Sequence, residues 1–344
     1  MKVKKLRTAD LDARINGLLI HHVLEKMLLS RKNKELTMMS LAELTEQVSD
    51  ITEDFISEFM GGREDKGVLL SRSLDKAKAT AVQILLRMIE EFKVSRFETV
   101  DVELEIGRGK TIEPYVIRLP DGGSVTISGK IDRVDVFNDE GKAYLRVVDY
   151  KTGGKDFKLG DVFSGLNMQM LIYLMCLWDN GKEKYGNTVP AGILYVPANN
   201  SGDRLPRRAT KEEVENQKLK NGRMNGMILS DEKIIDAMEE GAEGRFINAF
   251  IDKKGEMQGT LLSYEGFRLL HKKIDSMLEG MGMSLHCGEI GALPAVGSSS
   301  YKNTCQYCDY KDVCRRTETD DVRELKSIKH NEAVKMLEGS ENDG

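Results

Sequence analysis

Two periods divide this chain. From Leu11 to about Ser30, with Ile15, Leu18, Leu19, His22, Val23 and Met27 on or near one face, and again at about Ser40 to Met60 and Ser71 to Phe92, apolar residues recur at three and four. That spacing predicts three helices, the last two parted by the glycine-containing break GGREDKG. From Phe97 the period drops to two: Val100, Val102, Leu104 and Ile106 alternate with Asp101, Glu103 and Glu105, which predicts a strand. Ile112 to Leu119 and Ser124 to Phe137 read as a hairpin turned by Pro120-Asp121-Gly122-Gly123. A turn at Asn138 to Gly141 leads into a strand ending in Asp149-Tyr150-Lys151, then a glycine-broken loop, a helix over Val162 to Asp179 and a short apolar strand at Ala191 to Pro197. Residues 199–259 are polar and read as a partly mobile insertion, Ser263 to His286 as a closing helix, and 316–344 as a charged tail of solvated helix and disorder.

Composition narrows the class. With 344 residues and 40% hydrophobic content, the chain is long enough for a sizeable core. The expected layout is one domain over 1–315, made of a helical part (1–95), a core (96–198), the insertion (199–259) and a closing segment (260–315). No apolar run approaches the roughly 20 residues that span a bilayer and the first residues lack a signal-peptide apolar stretch, so no membrane contact and a cytoplasmic setting are expected. The net charge of −5 is not that of a protein gripping nucleic acid over its whole surface. Any such contact is local; the candidate basic stretches are 2–7 and 204–208, followed by Lys218, Lys220 and Arg223.

The candidate chemistry lies between Ser128 and Tyr173. Asp132 and Asp149 sit on neighbouring predicted strands, and alternation puts Asp149 and Lys151 on one face of theirs. An Asp and a Lys two apart on a strand commonly form a solvated ion pair. Here a second acidic strand precedes them, and Gln169 and Tyr173 follow at i, i+4 on one helix face. Mg²⁺ takes oxygen ligands and keeps several waters, so a few carboxylates suffice to hold it against a phosphate. A lysine beside it can orient the nucleophile.

The runs GKIDRVD, DYKTG and QMLIY resemble motifs of the PD-(D/E)XK nuclease superfamily, in its RecB-like branch, and most of all the AddB-type nuclease domains of helicase-nucleases. The resemblance implies a mixed α/β, restriction-endonuclease-like sheet flanked by helices, with an N-terminal helical region and a C-terminal Cys-rich segment. It implies hydrolysis of DNA by an exonuclease that favours single strands and uses Mg²⁺ or Mn²⁺, with a helicase as partner. Gly17 to His21 fits its G-x-x-x-H motif, which selects His21 as a metal ligand beside Asp132, Asp149 and the Tyr150 backbone carbonyl. Lys151 would position or activate water, and Gln169 and Tyr173 would line the groove. A glutamate belongs on the first strand; Glu103 and Glu105 share a face and both stay open, with Glu105 preferred as nearer IGRGK. Arg133 would support the site or DNA, Asp135 would make a structural pair or lie on the far side of the loop approach, and His271 and His286 are read as surface residues. Residues Arg223 to Asp231 also resemble a segment of these domains.

Cys305, Cys308 and Cys314 form a C-x2-C-x5-C cluster, and the resemblance marks them as ligands of a [4Fe-4S] cluster whose fourth cysteine lies before the G-x-x-x-H helix. No cysteine precedes Cys176, so that ligand is missing and a fragment of a longer polypeptide is expected. Cys176 reads as a buried hydrophobe and Cys287 as a non-ligand. No G-x-x-x-x-G-K-[ST] motif is present, which argues against an ATPase in this stretch. The rival expectation is a catalytically silent DNA-binding or docking module.

Overall fold

The computed structural model describes residues 13–62, 68–151, 157–198, 210, 217, 221–297, 304–317 and 320–339. The basic stretches 2–7 and 204–208, Lys218 and Lys220, and the glycine-broken loop at 152–156 lie outside the described residues.

The three-and-four spacing of the first third folds as α1 (Ala13–Ser30), a single turn α2 (Asn33–Leu36), α3 (Leu41–Met60) and α4 (Val68–Val94). Ser40 starts α3 in a capping box: its hydroxyl accepts the Glu43 N–H, and Glu43 accepts from the Ser40 N–H. Gly61, at φ 71, ends it in the left-handed region. Helix α4 is longer than the period suggested at both ends.

The change to period two builds a six-stranded mixed sheet. Its strands are β1 (Glu98–Ile106), β4 (Gly129–Asp139), β5 (Lys142–Lys151), β6 (Thr188–Pro197), β7 (Asn225–Leu229) and β10 (Leu261–Leu262), in that spatial order. The first two pairings are antiparallel, β5–β6 is parallel, β6–β7 antiparallel and β7–β10 parallel. The parallel pair is joined by α5 (Leu159–Val162), α6 (Gln169–Asn180) and α7 (Lys182–Tyr185). A mixed sheet flanked by helices is what the restriction-endonuclease-like expectation described.

Three elements differ from the sequence reading. The second hairpin arm is not one strand. β2 (Tyr115–Arg118) pairs with a short β3 (Ser124–Ile127), and after Ser128 the chain joins the main sheet as β4. The helix predicted over Val162 to Asp179 is broken between α5 and α6, where Gly165 (φ 73) and Asn167 (φ 55) adopt left-handed backbone that no helix continues. Gln169 is therefore the first residue of α6. The described part of 199–259 is core rather than insertion from Met224 onward. β7 and α8 (Glu232–Met238) bury Met227, Ile228, Leu229, Ile234, Ile235 and Met238, and β8 (Ala249–Ile251) pairs with β9 (Met257–Gly259). Its apolar runs are short because each element is short, so a composition window averages them away.

Helix α9 (Tyr264–His286) packs on the β2–β3 hairpin. The C-terminal part carries β11 (Ala295–Val296), a 3₁₀ turn (Thr304–Tyr307), α10 (Lys311–Cys314), β12 (Arg323–Glu324) and α11 (His330–Gly339), the last packed on α9 and α5. Among the described residues no helix is long and apolar enough to cross a membrane.

Candidate active site

Alternation along β4 and β5 sends two charged sets to opposite faces. Asp132, Asp149 and Lys151 share one face. Arg133, Asp135 and Arg146 share the other, with Asp135 opposite Arg146 in the ladder. The second set is closed. Arg133 donates from Nε and Nη2 to Asp135 at 2.7 Å each, and Arg146 donates from Nε to Asp135 at 2.7 Å and from Nη2 to Glu91 of α4 at 2.5 Å. All three strand residues are 0% exposed. Arg133 thus holds no DNA; it is locked in a salt-bridge network, and the expected structural role of Asp135 is the one seen. The two guanidiniums hold Asp135 down to about 2 against the burial that would raise it.

The first set is open. His21 of α1 reaches the strand ends: its Nε2 lies 3.1 Å from the Tyr150 carbonyl, and its Nδ1 is 3.5 Å from Asp132 and 3.9 Å from Glu103. Burial works against charging this imidazole, yet the surrounding oxygens outweigh it and its pKa is raised. Asp132 accepts the Tyr150 N–H at 3.1 Å, and burial, reinforced by Asp149 and Glu103, pushes its pKa up to about 6 against the pull of His21. Lys151 Nζ lies 2.9 Å from both Asp149 oxygens but has hydrogen-bond geometry only at Oδ1, leaving Oδ2 buried without a donor. Lys151 is 38% exposed and also lies over the Tyr195 ring at 5.6 Å.

Among the described residues, His21, Glu103 and Asp132 are the one set of three ligating side chains whose donor atoms all lie within 4.8 Å of one another. Of the two glutamates, the structure brings Glu103 there. Glu105 is 54% exposed and pairs with Lys110 at 2.5 Å. Glu103 is held by Lys130 at 2.6 Å and has a left-handed backbone, φ 52, unusual for a strand residue. Its pKa is lowered: burial would raise it, and His21 and Lys130 reverse that. Lys130 was missed in the sequence, although its position two before Asp132 on the same face was a signal.

A hard divalent cation fits these donors. Two aspartates, a glutamate, a carbonyl and a histidine are the oxygen and imidazole groups such an ion takes, and a buried Asp149 oxygen lacks a hydrogen-bond donor. Gln169 and Tyr173 are joined by a 3.2 Å hydrogen bond from Nε2 to the phenol oxygen, and the Tyr173 ring lies against Gly129, three residues before Asp132.

The cysteines do not make a comparable set. Cys305, Cys308 and Cys314 are not joined in disulfides, and the last two are exposed. Cys176 is buried in α6 with its Sγ 3.5 Å from the Glu113 carbonyl, and Cys287 is exposed at the end of α9. With five cysteines in the sequence, three remain, one short of the four a [4Fe-4S] cluster requires. The residues present do not fit that group.

Of the two histidines read as surface residues, one differs. His271 is half-buried rather than free on the surface: its Nε2 is 2.7 Å from the Tyr115 hydroxyl and 3.2 Å from Asp179. His286 is at the surface, paired with Asp121 at 2.8 Å. Arg223 is half-buried beside Arg87, whose pKa falls to about 10, from burial first and the neighbouring cation after, against Glu91.

Comparison with known proteins gives concordant matches. The sequence profile of the PD-(D/E)XK nuclease superfamily matches residues 1–315. A curated protein of Acetivibrio thermocellus, named as a subunit of an ATP-dependent helicase/deoxyribonuclease, is 32% identical over 310 residues, covering 87% of this chain and 26% of that protein. Proteins of the same name from Ruminiclostridium cellulolyticum (32% identical, 87% and 26% covered) and Clostridioides difficile (27%, 99% and 31%) are also similar. The chain spans about a quarter to a third of the length of these relatives.

Proposed function

Since the chain belongs to the PD-(D/E)XK nuclease superfamily, we propose that it hydrolyses DNA phosphodiester bonds with Mg²⁺ or Mn²⁺. His21, Glu103, Asp132, Asp149 and the Tyr150 carbonyl would hold the ion. The observation that carries this reading is the convergence of His21, Glu103 and Asp132 beside an Asp149 oxygen that is buried and undonated.

A divalent cation so held would neutralise charge building on a phosphate and acidify a water. The protein's own groups do the rest. The Lys151 ammonium, fixed by Asp149 and half in solvent, donates to and orients the attacking water. Lys130 keeps Glu103 ionised and turned toward His21. The Gln169 amide and Tyr173 phenol hydrogen-bond the nucleic-acid backbone without adding charge. Asp132 is anchored by the Tyr150 N–H, which ties its carboxylate to the strand that carries Asp149.

The substrate we infer is single-stranded DNA, cut as an exonuclease in the cytoplasm. By likeness to relatives named as parts of a helicase/deoxyribonuclease, the chain would serve recombination or repair beside a helicase partner. The second reading is a catalytically silent DNA-binding or docking module.

One experiment separates them: cleavage of end-labelled single-stranded DNA by the purified chain with and without Mg²⁺, beside Lys151→Ala, with iron assayed on the same sample. Cleavage that needs the metal and falls about a thousandfold in the variant is expected. Metal-independent cleavage would overturn the metal-dependent reading, and no cleavage by folded wild-type protein would overturn the nuclease reading.

A further inference from the structure

Gly129 is the first residue of β4 and pairs with Ile106 of β1. Its backbone lies outside the left-handed region, so chain geometry alone does not demand glycine there. Space does. A β-carbon at this position would stand 2.7 Å from Cζ and 2.8 Å from Cε1 of Tyr173, and nearer still to the phenol oxygen; the three closest atoms all belong to that one side chain. Carbon atoms in contact settle near 3.5–4.0 Å, so a methyl group and this ring position exclude each other.

We propose that Gly129 is a positioning residue for Tyr173: the bare α-carbon is the seat on which the phenol lies, about 10 Å along the strand from Asp132. The seat fixes two groups. With the ring against β4, its hydroxyl accepts the Gln169 amide hydrogen at 3.2 Å, so the polar ends of Gln169 and Tyr173 are stationed together at the start of α6. Gln169 is exposed, and among the described residues no other hydrogen bond is seen to orient its side chain. Remove the seat and both lose their place. Glycine in the GKIDRVD run is thereby explained by a contact with a helix forty-four positions away in sequence, as Tyr173 minus Gly129 counts.

The consequence for function rests on the reading of Tyr173 as a groove residue, so the test has two readouts. In the full chain labelled with ¹³C in its tyrosine rings, the Tyr173 signal is assigned by its loss in Tyr173→Phe. Gly129→Ala is expected to shift that signal more than any other tyrosine's. In steady-state cleavage of single-stranded DNA with Mg²⁺, Gly129→Ala is expected to lower kcat by about a hundredfold, as an ångström-scale misplacement does. The double variant Gly129→Ala/Tyr173→Ala should be no slower than Tyr173→Ala alone. An unmoved Tyr173 signal, or losses that multiply in the double variant, would overturn the proposal. Should Gly129→Ala fail to fold, recovery of Tm in the double variant supports it and continued failure overturns it. If wild-type protein does not cleave at all, the nuclease reading falls while the ring signal still decides the seat.

Discussion

Strands β4 and β5 carry two charged groups of nearly the same composition, back to back. On one face Arg133, Arg146, Asp135 and Glu91 form a neutral, sealed network with fixed forked hydrogen bonds. On the other, Glu103, Asp132 and Asp149 face His21, Lys130 and Lys151, whose contacts are longer, partly solvated or shared. The difference teaches what distinguishes a brace from a site. A brace brings its cations as rigid guanidiniums and leaves no carboxylate wanting. In the site, burial reinforced by Asp149 and Glu103 pushes Asp132 toward protonation against the pull of His21, while Asp135, three residues on, is pushed far the other way by two guanidiniums.

The largest effect should come from the open face. Asp149→Asn and Lys151→Ala are each expected to cut DNA cleavage about a thousandfold with Tm nearly unchanged; a comparable loss of Tm would mean that this face is a brace too. On the sealed face the order reverses. Asp135→Asn strands Arg133 and Arg146 against one remaining anion, and should cost about 3–5 kcal/mol in urea unfolding. Cleavage by the molecules still folded should persist.

Acid sharpens the same contrast. The Asp135 pKa is lower in the folded chain, about 2, than the ~3.9 of an unfolded aspartate. Its contribution is therefore complete above about pH 4 and lost as pH falls through 2. Tm measured over that window should fall more steeply in wild-type protein than in Asp135→Asn.

Cation binding gives a smaller effect. Mg²⁺ at a hundredfold excess over its Kd should add about 2.7 kcal/mol of stability, and none in Asp132→Asn. Equal gains in both would move the ion elsewhere.

The least effect is expected where charges are half-exposed. His271 faces Asp179 and Asp275, which raise its pKa against the lowering effect of burial. Its stabilisation is full below about pH 6.5 and lost as pH rises through the raised folded value. His271→Gln should flatten the Tm profile above neutrality by less than about 1 kcal/mol.

Much of this was legible in the sequence because it is periodic. The strand at β1, the hairpin turn and the Asp149–Lys151 face follow from counting by two. Counting fails where the backbone departs from regular geometry. β1 shifts register between Thr99 and Asp101 and turns left-handed at Glu103, so equal alternation could not separate Glu103 from Glu105. Gly165 and Asn167 split a helix whose apolar residues continue through the break. The sealed network was invisible for another reason: Glu91 lies 42 positions from Arg133 and 55 from Arg146, and nothing local announces a salt bridge across that gap.

That last contact bears on how far the strands of the candidate site could be transplanted. Glu91 belongs to α4, among the helices that precede the sheet, and His21 comes from α1. A shortened chain cut to begin at residue 96 would discard both, leaving two guanidiniums in an apolar interior with a single counter-ion. The helical region is therefore no detachable module: it is a partner that the sheet's own sequence, with its paired arginines, already presupposes.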